Sequence, residues 1–325
     1  MRELSYAGAI NEALSQAMEL CPDVVVMGQL VNYKSGIFGT TSGLVDKFGD
    51  KRVLDFPVAE SLMTSSAIGA AVTGMRPVLV HQRQDFMIYS LDAIVNWMSL
   101  WRFKSNGKYS MPVVIRTIVG KGWGQGPQHS KSLHAWFSHM PGLRVAIPAT
   151  AYDIKGLMLE AILGENPVIF IENRSLFSMK DRVPQKPYRV RFGKGIVRRA
   201  GKDITVVAIG SMVHTMLKAA ELVANESIDV EVIDPRTLNP LDTPLIFQSL
   251  RKTKRLLVAD PGWESGGVAG EIIARASMAM GRDLLANPQR ITLPDSHTPM
   301  SQTLEAEYYP SAESAADKIR QMVRS

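Results

Sequence analysis

The stretch Val53-Leu-Asp-Phe56-Pro-Val-Ala-Glu60-Ser-Leu-Met-Thr-Ser-Ser-Ala-Ile-Gly69-Ala-Ala-Val-Thr-Gly74-Met-Arg-Pro77-Val-Leu-Val-His81 decides how the chain folds. Val53–Phe56 and Val78–His81 are short apolar runs of strand length. The small and apolar residues between them, 61–74, have helical length. A strand, a helix and a strand in that order predict a βαβ unit with its two strands parallel. Glycine inside a helix is costly, by about 1 kcal/mol against alanine. Gly69 and Gly74 therefore point to close backbone approach, either to the chain's own sheet or to another subunit.

The same alternation extends in both directions. Further strands are predicted at Val24–Met27, Val113–Ile118, Arg144–Ile147 and Val168–Glu172, with helices near 6–20, 90–104 and 151–164. The polar, Pro-containing segment Lys180–Arg191 reads as a linker. A second series follows, with strands at Ile204–Ile209, Val230–Asp234, Leu256–Asp260 and Ile291–Leu293 and helices near 212–225, 242–251, 266–280 and 313–324. The expected fold is α/β, with parallel sheets covered on both faces. It divides into two domains, 1–185 and 186–325.

Composition narrows the class. The 325 residues are 46% hydrophobic and 21% charged, as in an ordinary folded protein rather than a disordered one. The net charge of +6 is scattered, and its densest cluster, Arg251-Lys-Thr-Lys-Arg255, suits a helix end. Neither a nucleic-acid surface nor a membrane span is expected. One cysteine, Cys21, fits a reducing, cytoplasmic setting, and Glu3, Asn11 and Glu12 make the N-terminus unlike a secretory leader.

Several separated motifs resemble the β subunit of the thiamine-diphosphate-dependent decarboxylating component of 2-oxo acid dehydrogenase complexes, in the transketolase superfamily. They are Phe48-Gly-Asp-Lys-Arg52, Pro57-Val-Ala-Glu60, Gly69-Ala-Ala-Val-Thr-Gly-Met-Arg-Pro77, Gln128-His-Ser130, His139-Met-Pro-Gly142, Asn166-Pro167, Asp234-Pro-Arg-Thr-Leu-Asn-Pro240 and Gly266-Gly-Val-Ala-Gly-Glu271. The resemblance implies a pyrimidine-binding first domain and a transketolase C-terminal-type second domain. It implies that Glu60 bonds the cofactor's pyrimidine ring nitrogen and promotes its reactive tautomer, although a carboxylate at a helix start also has a purely structural use. Phe86 is the implied stacking ring, with Gln82 beside it, and His129 the implied proton-handling group near the substrate. Potassium is implied at Val113, Ala161, Gly164 and Asn166, mainly through main-chain carbonyls. Gly164 replaces a residue usually acidic or polar.

The family's Gly-Asp-Gly segment, which holds magnesium and diphosphate, occurs nowhere in the sequence. The resemblance thus implies an α subunit carrying that site, a second copy of this chain in a heterotetramer, and a lipoyl acyltransferase core. Glu271 and the Asp295–Met300 segment with His297 are expected at assembly surfaces. The histidines 129, 134 and 139 do not line one helix face, which argues against zinc.

Two positions depart from the family. Gln29 replaces an acidic residue after the first strand, and His81-Gln-Arg-Gln-Asp85 replaces an apolar run. His81, Arg83 and Asp85 either line a polar substrate pocket with His129, or Arg83 and Asp85 pair with each other or with the partner. Two alternative functions stay open: the C-terminal half of a split transketolase-like enzyme transferring a two-carbon unit, and a non-catalytic assembly subunit.

Overall fold

In the computed structural model, which describes residues 1–121 and 124–324, the βαβ unit is formed by β2 (Val53–Asp55), α2 (Glu60–Val72) and β3 (Arg76–His81). Around it stand α1 (Tyr6–Leu20), β1 (Val24–Gly28), α3 (Gln84–Met87), β4 (Val114–Val119), β5 (Arg144–Ala146), α4 (Ala151–Ile162) and β6 (Val168–Asn173), with shorter elements between them. The strands run parallel in the order β5-β6-β4-β3-β1-β2. β1, β4 and β6 are buried along their whole length, which explains their richness in Val and Ile.

α1 starts at Ser5, whose hydroxyl accepts from the Gly8 amide at 3.1 Å. Its buried stripe, Tyr6, Ala9, Ile10, Ala13, Leu14, Ala17 and Met18, follows helical spacing and packs against α4. The two helices share a core with Val24, Val26, Val78, Val80, Val114 and Phe170 of the sheet. α2 packs on β3 and buries Met63, Thr64, Ala67, Ile68 and Ala71. At Gly69 a Cβ would meet nothing within 4 Å, so the chain's own sheet does not demand that glycine.

The chain separates into Met1–Gly120 with Trp136–Phe192, and Lys121–Ala135 with Gly193–Ser325. The division falls beyond the expected 185/186 boundary because the presumed linker is structured. Lys180–Val183 forms a strand antiparallel to Arg2–Ser5. Further on, the Tyr188 hydroxyl donates to the Tyr152 carbonyl at 2.6 Å, and the Val190 amide donates to the Gly156 carbonyl at 3.1 Å. Residues near 90–104 form a π-helical segment, Ala93–Met98, and a short α-turn, Trp101–Lys104, in place of one continuous helix.

The second unit holds a five-stranded sheet of β7 (Ile196–Arg199), β8 (Ile204–Ala208), β9 (Val230–Asp234), β10 (Leu256–Trp263) and β11 (Gln289–Leu293), ordered β11-β10-β8-β9-β7. Only β7 runs antiparallel to its neighbour. Its long helices are α5 (Met212–Ala224), α6 (Thr243–Thr253), α7 (Val268–Met280) and α8 (Ala312–Arg324). α6 begins with Asp242 accepting from the Leu245 amide at 3.3 Å and ends in left-handed Lys254. Arg251 and Lys252 occupy its last turn, where cations suit the carbonyl end. Among the described residues, no helix is long and apolar enough to cross a membrane.

Candidate active site

In open parallel sheets, ligands bind beyond the carboxyl ends of the strands. Most of the residues expected around the cofactor in the first unit lie there. Gly28 ends β1 at φ +143°, and a Cβ on it would come within 2.4 Å of the Val80 carbonyl oxygen, so only glycine fits. The next residue, Gln29, is buried and donates its side-chain amide to Glu60 Oε1 at 3.4 Å. Glu60 is half-buried and is the first residue of α2, so the helix N-terminus also favours its negative charge. Asp55, closing β2, accepts from the Val31 amide at 3.1 Å and ties down the segment after Gln29.

Past β3, Gln82 and Arg83 lead into α3, so Phe86 sits in a short helical turn. Phe86 and Gln82 are half-buried. Gln82 also lines a cleft of about 480 Å³ with Leu30, Tyr33, Phe38 and the glycines at 36 and 39. A carboxylate, an aromatic ring and a side-chain amide are groups whose chemistry suits a flat heteroaromatic ring with polar edges such as an aminopyrimidine; of the three, Gln82 is the one that lines this cleft.

The charged run behaves differently from a solvated loop. Arg83 and Asp85 are each 7% exposed. Burial pulls the Arg83 guanidinium below its ordinary value, Asp85 opposes that shift, and Arg174 adds to it. Arg174 itself lies over the Phe38 ring, 4.3 Å from its centroid. His81 is enclosed: its Nε2 lies 3.0 Å from Thr64 Oγ1, which donates to Ser90 Oγ at 2.9 Å. With the threonine proton directed to Ser90, the contact suits the tautomer that carries its proton on Nε2. Among the described residues the buried Nδ1 meets no partner, and burial pushes the imidazole pKa down to about 4.

Arg116 and Glu172 form a buried ion pair between β4 and β6, with nitrogen–oxygen distances of 2.5 and 2.9 Å. Removing one partner of such a pair costs about 3–5 kcal/mol. A charged residue inside an otherwise apolar strand was the only sequence signal of it.

His129 is half-buried in the Lys121–Ala135 loop of the second unit. Gly122 and Trp123 of the expected glycine-rich loop lie outside the described residues. The loop rests on Met300: a Cβ on Gly124 would reach the Met300 carbonyl at 2.8 Å, and one on Gly126 the Met300 side chain at 2.4 Å. The Asp295–Met300 segment thus backs the His129 loop. The end of the loop is fixed by His134, whose Nε2 meets Asp260 Oδ1 at 2.7 Å, both side chains fully buried. Asp260 also accepts from the Gly262 and Ala269 amides at 2.8 and 3.0 Å. Burial works against the Asp260 charge, and His134 with the two amides outweighs it, holding the carboxyl below its usual range. Sequence reading weighed His134 only as a metal ligand, and no local signal marks a partner so distant in the chain. Glu271 lies in the first turn of α7 and pairs with Arg275.

The positions expected to hold potassium lie around the turn that follows α4. Their oxygens are already engaged. Val113 accepts from the Val168 amide at 2.9 Å, Ala161 from the Gly164 amide at 3.3 Å, Gly164 from Arg76 at 2.6 Å, and the Asn166 side chain from Arg102 at 2.6 Å. A carbonyl oxygen has two lone pairs, so each main-chain oxygen keeps one beyond the hydrogen bond named. Among the described residues no group of three or more His, Cys, Asp or Glu is placed to hold a metal ion.

A parallel-sheet unit with this carboxylate at its strand ends, followed by a second α/β unit, defines a transketolase-type protein. The family model described as transketolase, pyrimidine binding domain, matches residues 2–180, and that described as transketolase, C-terminal domain, matches 193–314. The β subunit of acetoin:2,6-dichlorophenolindophenol oxidoreductase from Cupriavidus necator is 39% identical, covering 99% of this chain and 98% of its own. The pyruvate dehydrogenase E1 component β subunit of Acholeplasma laidlawii is 37% identical over 100% and 99%. A solved split-gene transketolase, described as an inactive β4 tetramer, has a TM-score of 0.80 at 21% identity over 99% and 98%, a likeness of fold alone. The chain belongs to the transketolase-type β-subunit family that includes the pyruvate dehydrogenase E1 and acetoin oxidoreductase β subunits.

Proposed function

We propose that this chain is the β subunit of a thiamine diphosphate enzyme that oxidatively decarboxylates a 2-oxo acid and passes the acyl group to a lipoyl carrier. The observation that carries the reading is Glu60 at the start of α2, beside Gln29 at the carboxyl end of a parallel sheet. Thiamine diphosphate supplies a nucleophilic carbon and an electron sink. Glu60 holds a proton at the pyrimidine ring nitrogen, Phe86 gives that ring an aromatic face, and Gln82 a polar edge. His129 handles protons or polar groups of the substrate. The Arg83–Asp85 electrostatic coupling favours structural pairing over a polar substrate pocket for these two residues and, with them, for enclosed His81.

Magnesium and the diphosphate belong to an α subunit, since the sequence has no Gly-Asp-Gly segment. The outer row of α2, with Ser61, Leu62, Ser65, Gly69 and Val72 exposed, supports a surface for a partner chain in an α2β2 assembly. The single cysteine supports a cytoplasmic site of action.

A second reading has acetoin as the substrate. It is favoured by the names of two relatives, from Cupriavidus necator and from Bacillus subtilis at 39% and 38% identity. Both readings are tested by co-purifying the chain with the product of a neighbouring α-like gene. Dye reduction and lipoyl-domain acylation are then measured with pyruvate, branched 2-oxo acids and acetoin. Turnover of a 2-oxo acid with lipoyl acylation supports the first reading, and turnover of acetoin alone the second. A pair that only moves a two-carbon unit from a ketose to an aldehyde, or does nothing, overturns both. Glu60→Gln in the active pair should lose on the order of 10²-fold in turnover with assembly intact.

A further inference from the structure

We propose that the carboxyl ends of β3 and β4 enclose an internal water site, in which a water molecule bridges His81 Nδ1 and the Thr117 hydroxyl.

His81 closes β3, and its partner in register on β4 is Thr117. Neighbouring strands lie about 4.8 Å apart, and register partners on parallel strands point to the same face of the sheet. Asn173 closes β6 on that face as well. Ile171 is the register partner of Thr117, and Asn173 stands two residues further on, where the pleat returns to the same side. All three side chains are shut off from solvent, at 1%, 0% and 3% exposure. Each keeps a polar atom that meets no hydrogen-bond partner among the described residues: His81 Nδ1, Thr117 Oγ1 and Asn173 Nδ2. Buried polar atoms are almost always satisfied by protein or by ordered water, so three such atoms on one face call for a common partner.

Their chemistry is complementary to water. With its proton on Nε2, directed at Thr64, the imidazole presents Nδ1 as an acceptor. The threonine hydroxyl both gives and takes a hydrogen bond, and the amide nitrogen gives one. A water that donates to Nδ1, bonds Oγ1 and accepts from the amide makes three bonds, about the number usual for a buried water. A donor at Nδ1 also completes a chain of bonds running one way, from water to His81, then to Thr64 and to Ser90. Bonds in such a chain polarise and strengthen one another. His81 directly precedes Gln82, so the site holds the base of the segment offered to the pyrimidine. The water site stands on packing alone, whichever cofactor the chain uses.

Thr117→Val tests the site by its sign. Valine keeps nearly the same shape and removes the hydroxyl. If Oγ1 were idle, the variant would fold at least as well as the wild type, since deleting an unpaired buried hydroxyl removes its desolvation penalty. With the water bound, urea unfolding of the full chain should show the folding equilibrium constant reduced by about fivefold. An unchanged or raised constant overturns the proposal. In a His81→Leu background the same substitution should cost less than about twofold, because the shared water has already lost one partner. A fivefold loss in both backgrounds overturns the bridge. A crystal structure of the wild type should show solvent density within about 3.2 Å of both Nδ1 and Oγ1. Direct contact between the two side chains, or a dry gap, overturns the site. If the variants do not fold, that density alone decides.

Discussion

His81 should make the first unit lose stability in mild acid, by an amount that follows from its surroundings. Its imidazole is 1% exposed, its Nε2 is committed to Thr64, and its Nδ1 meets no partner among the described residues, so burial lowers its pKa from 6.5 to about 4. Above pH 6.5 both folded and unfolded states are neutral at this group, and it contributes no pH dependence. Between 6.5 and about 4 the unfolded chain takes a proton that the folded chain refuses. Stability therefore falls as pH falls, and the loss levels off near pH 4. The gap between those two values corresponds to about 3 kcal/mol. The assay is urea unfolding of the wild type and His81→Leu from pH 7 to pH 4, read by hydrogen exchange in peptides covering β3 and α2. His81→Leu loses the Thr64 contact at every pH, so it starts less stable. Its acid limb should then be shallower by about 3 kcal/mol, carboxylate effects being common to both chains. Parallel curves for the two proteins would refute the assignment of a neutral buried imidazole.

Three further outcomes are expected. The isolated chain should bind thiamine diphosphate weakly at most, and micromolar, magnesium-dependent binding in calorimetry would contradict a divided site. Arg83→Met should strand Asp85 and lower stability by about 3 kcal/mol while leaving KM for 2-oxo acids unchanged in the reconstituted pair; a raised KM at wild-type stability would restore the polar-pocket reading. Asp260→Asn should cost about 3–5 kcal/mol at neutral pH by leaving His134 without its carboxylate. Because the Asp260 pKa is depressed, the wild-type advantage is present above the ordinary carboxylate value of 3.8 and disappears as pH falls through the depressed value, so acid unfolding of the two chains should converge.

The alternation of apolar runs and helical patterns was legible because strands buried on both faces must be apolar throughout. Val53–Phe56 against the observed Val53–Asp55, and Val168–Glu172 against Val168–Asn173, show how closely run length tracks strand length. The short helix Gln84–Met87 was illegible because one turn carries no periodicity and its first two residues, Gln84 and Asp85, are polar yet buried, the reverse of the usual pattern. The antiparallel pairing of Arg2–Ser5 with Lys180–Val183 was missed because edge segments carry little hydrophobic signal. Glu60, Gln82, Phe86 and His129 were singled out through motif order alone. Nothing local announced that Gln29 would donate to Glu60, or that His134 would find Asp260.

The sequence by itself determined the two-unit α/β plan and the family, and it singled out the residues proposed for the cofactor's pyrimidine, because periodicity and motif spacing are local properties of the chain. Tertiary structure alone decided that His81 is enclosed and neutral, that Arg83 and Asp85 are buried together, and that Arg76 meets the carbonyls after α4. Each of these depends on desolvation or on a donor brought from a distant element. Such effects arise only when strands and helices far apart in sequence are packed into contact.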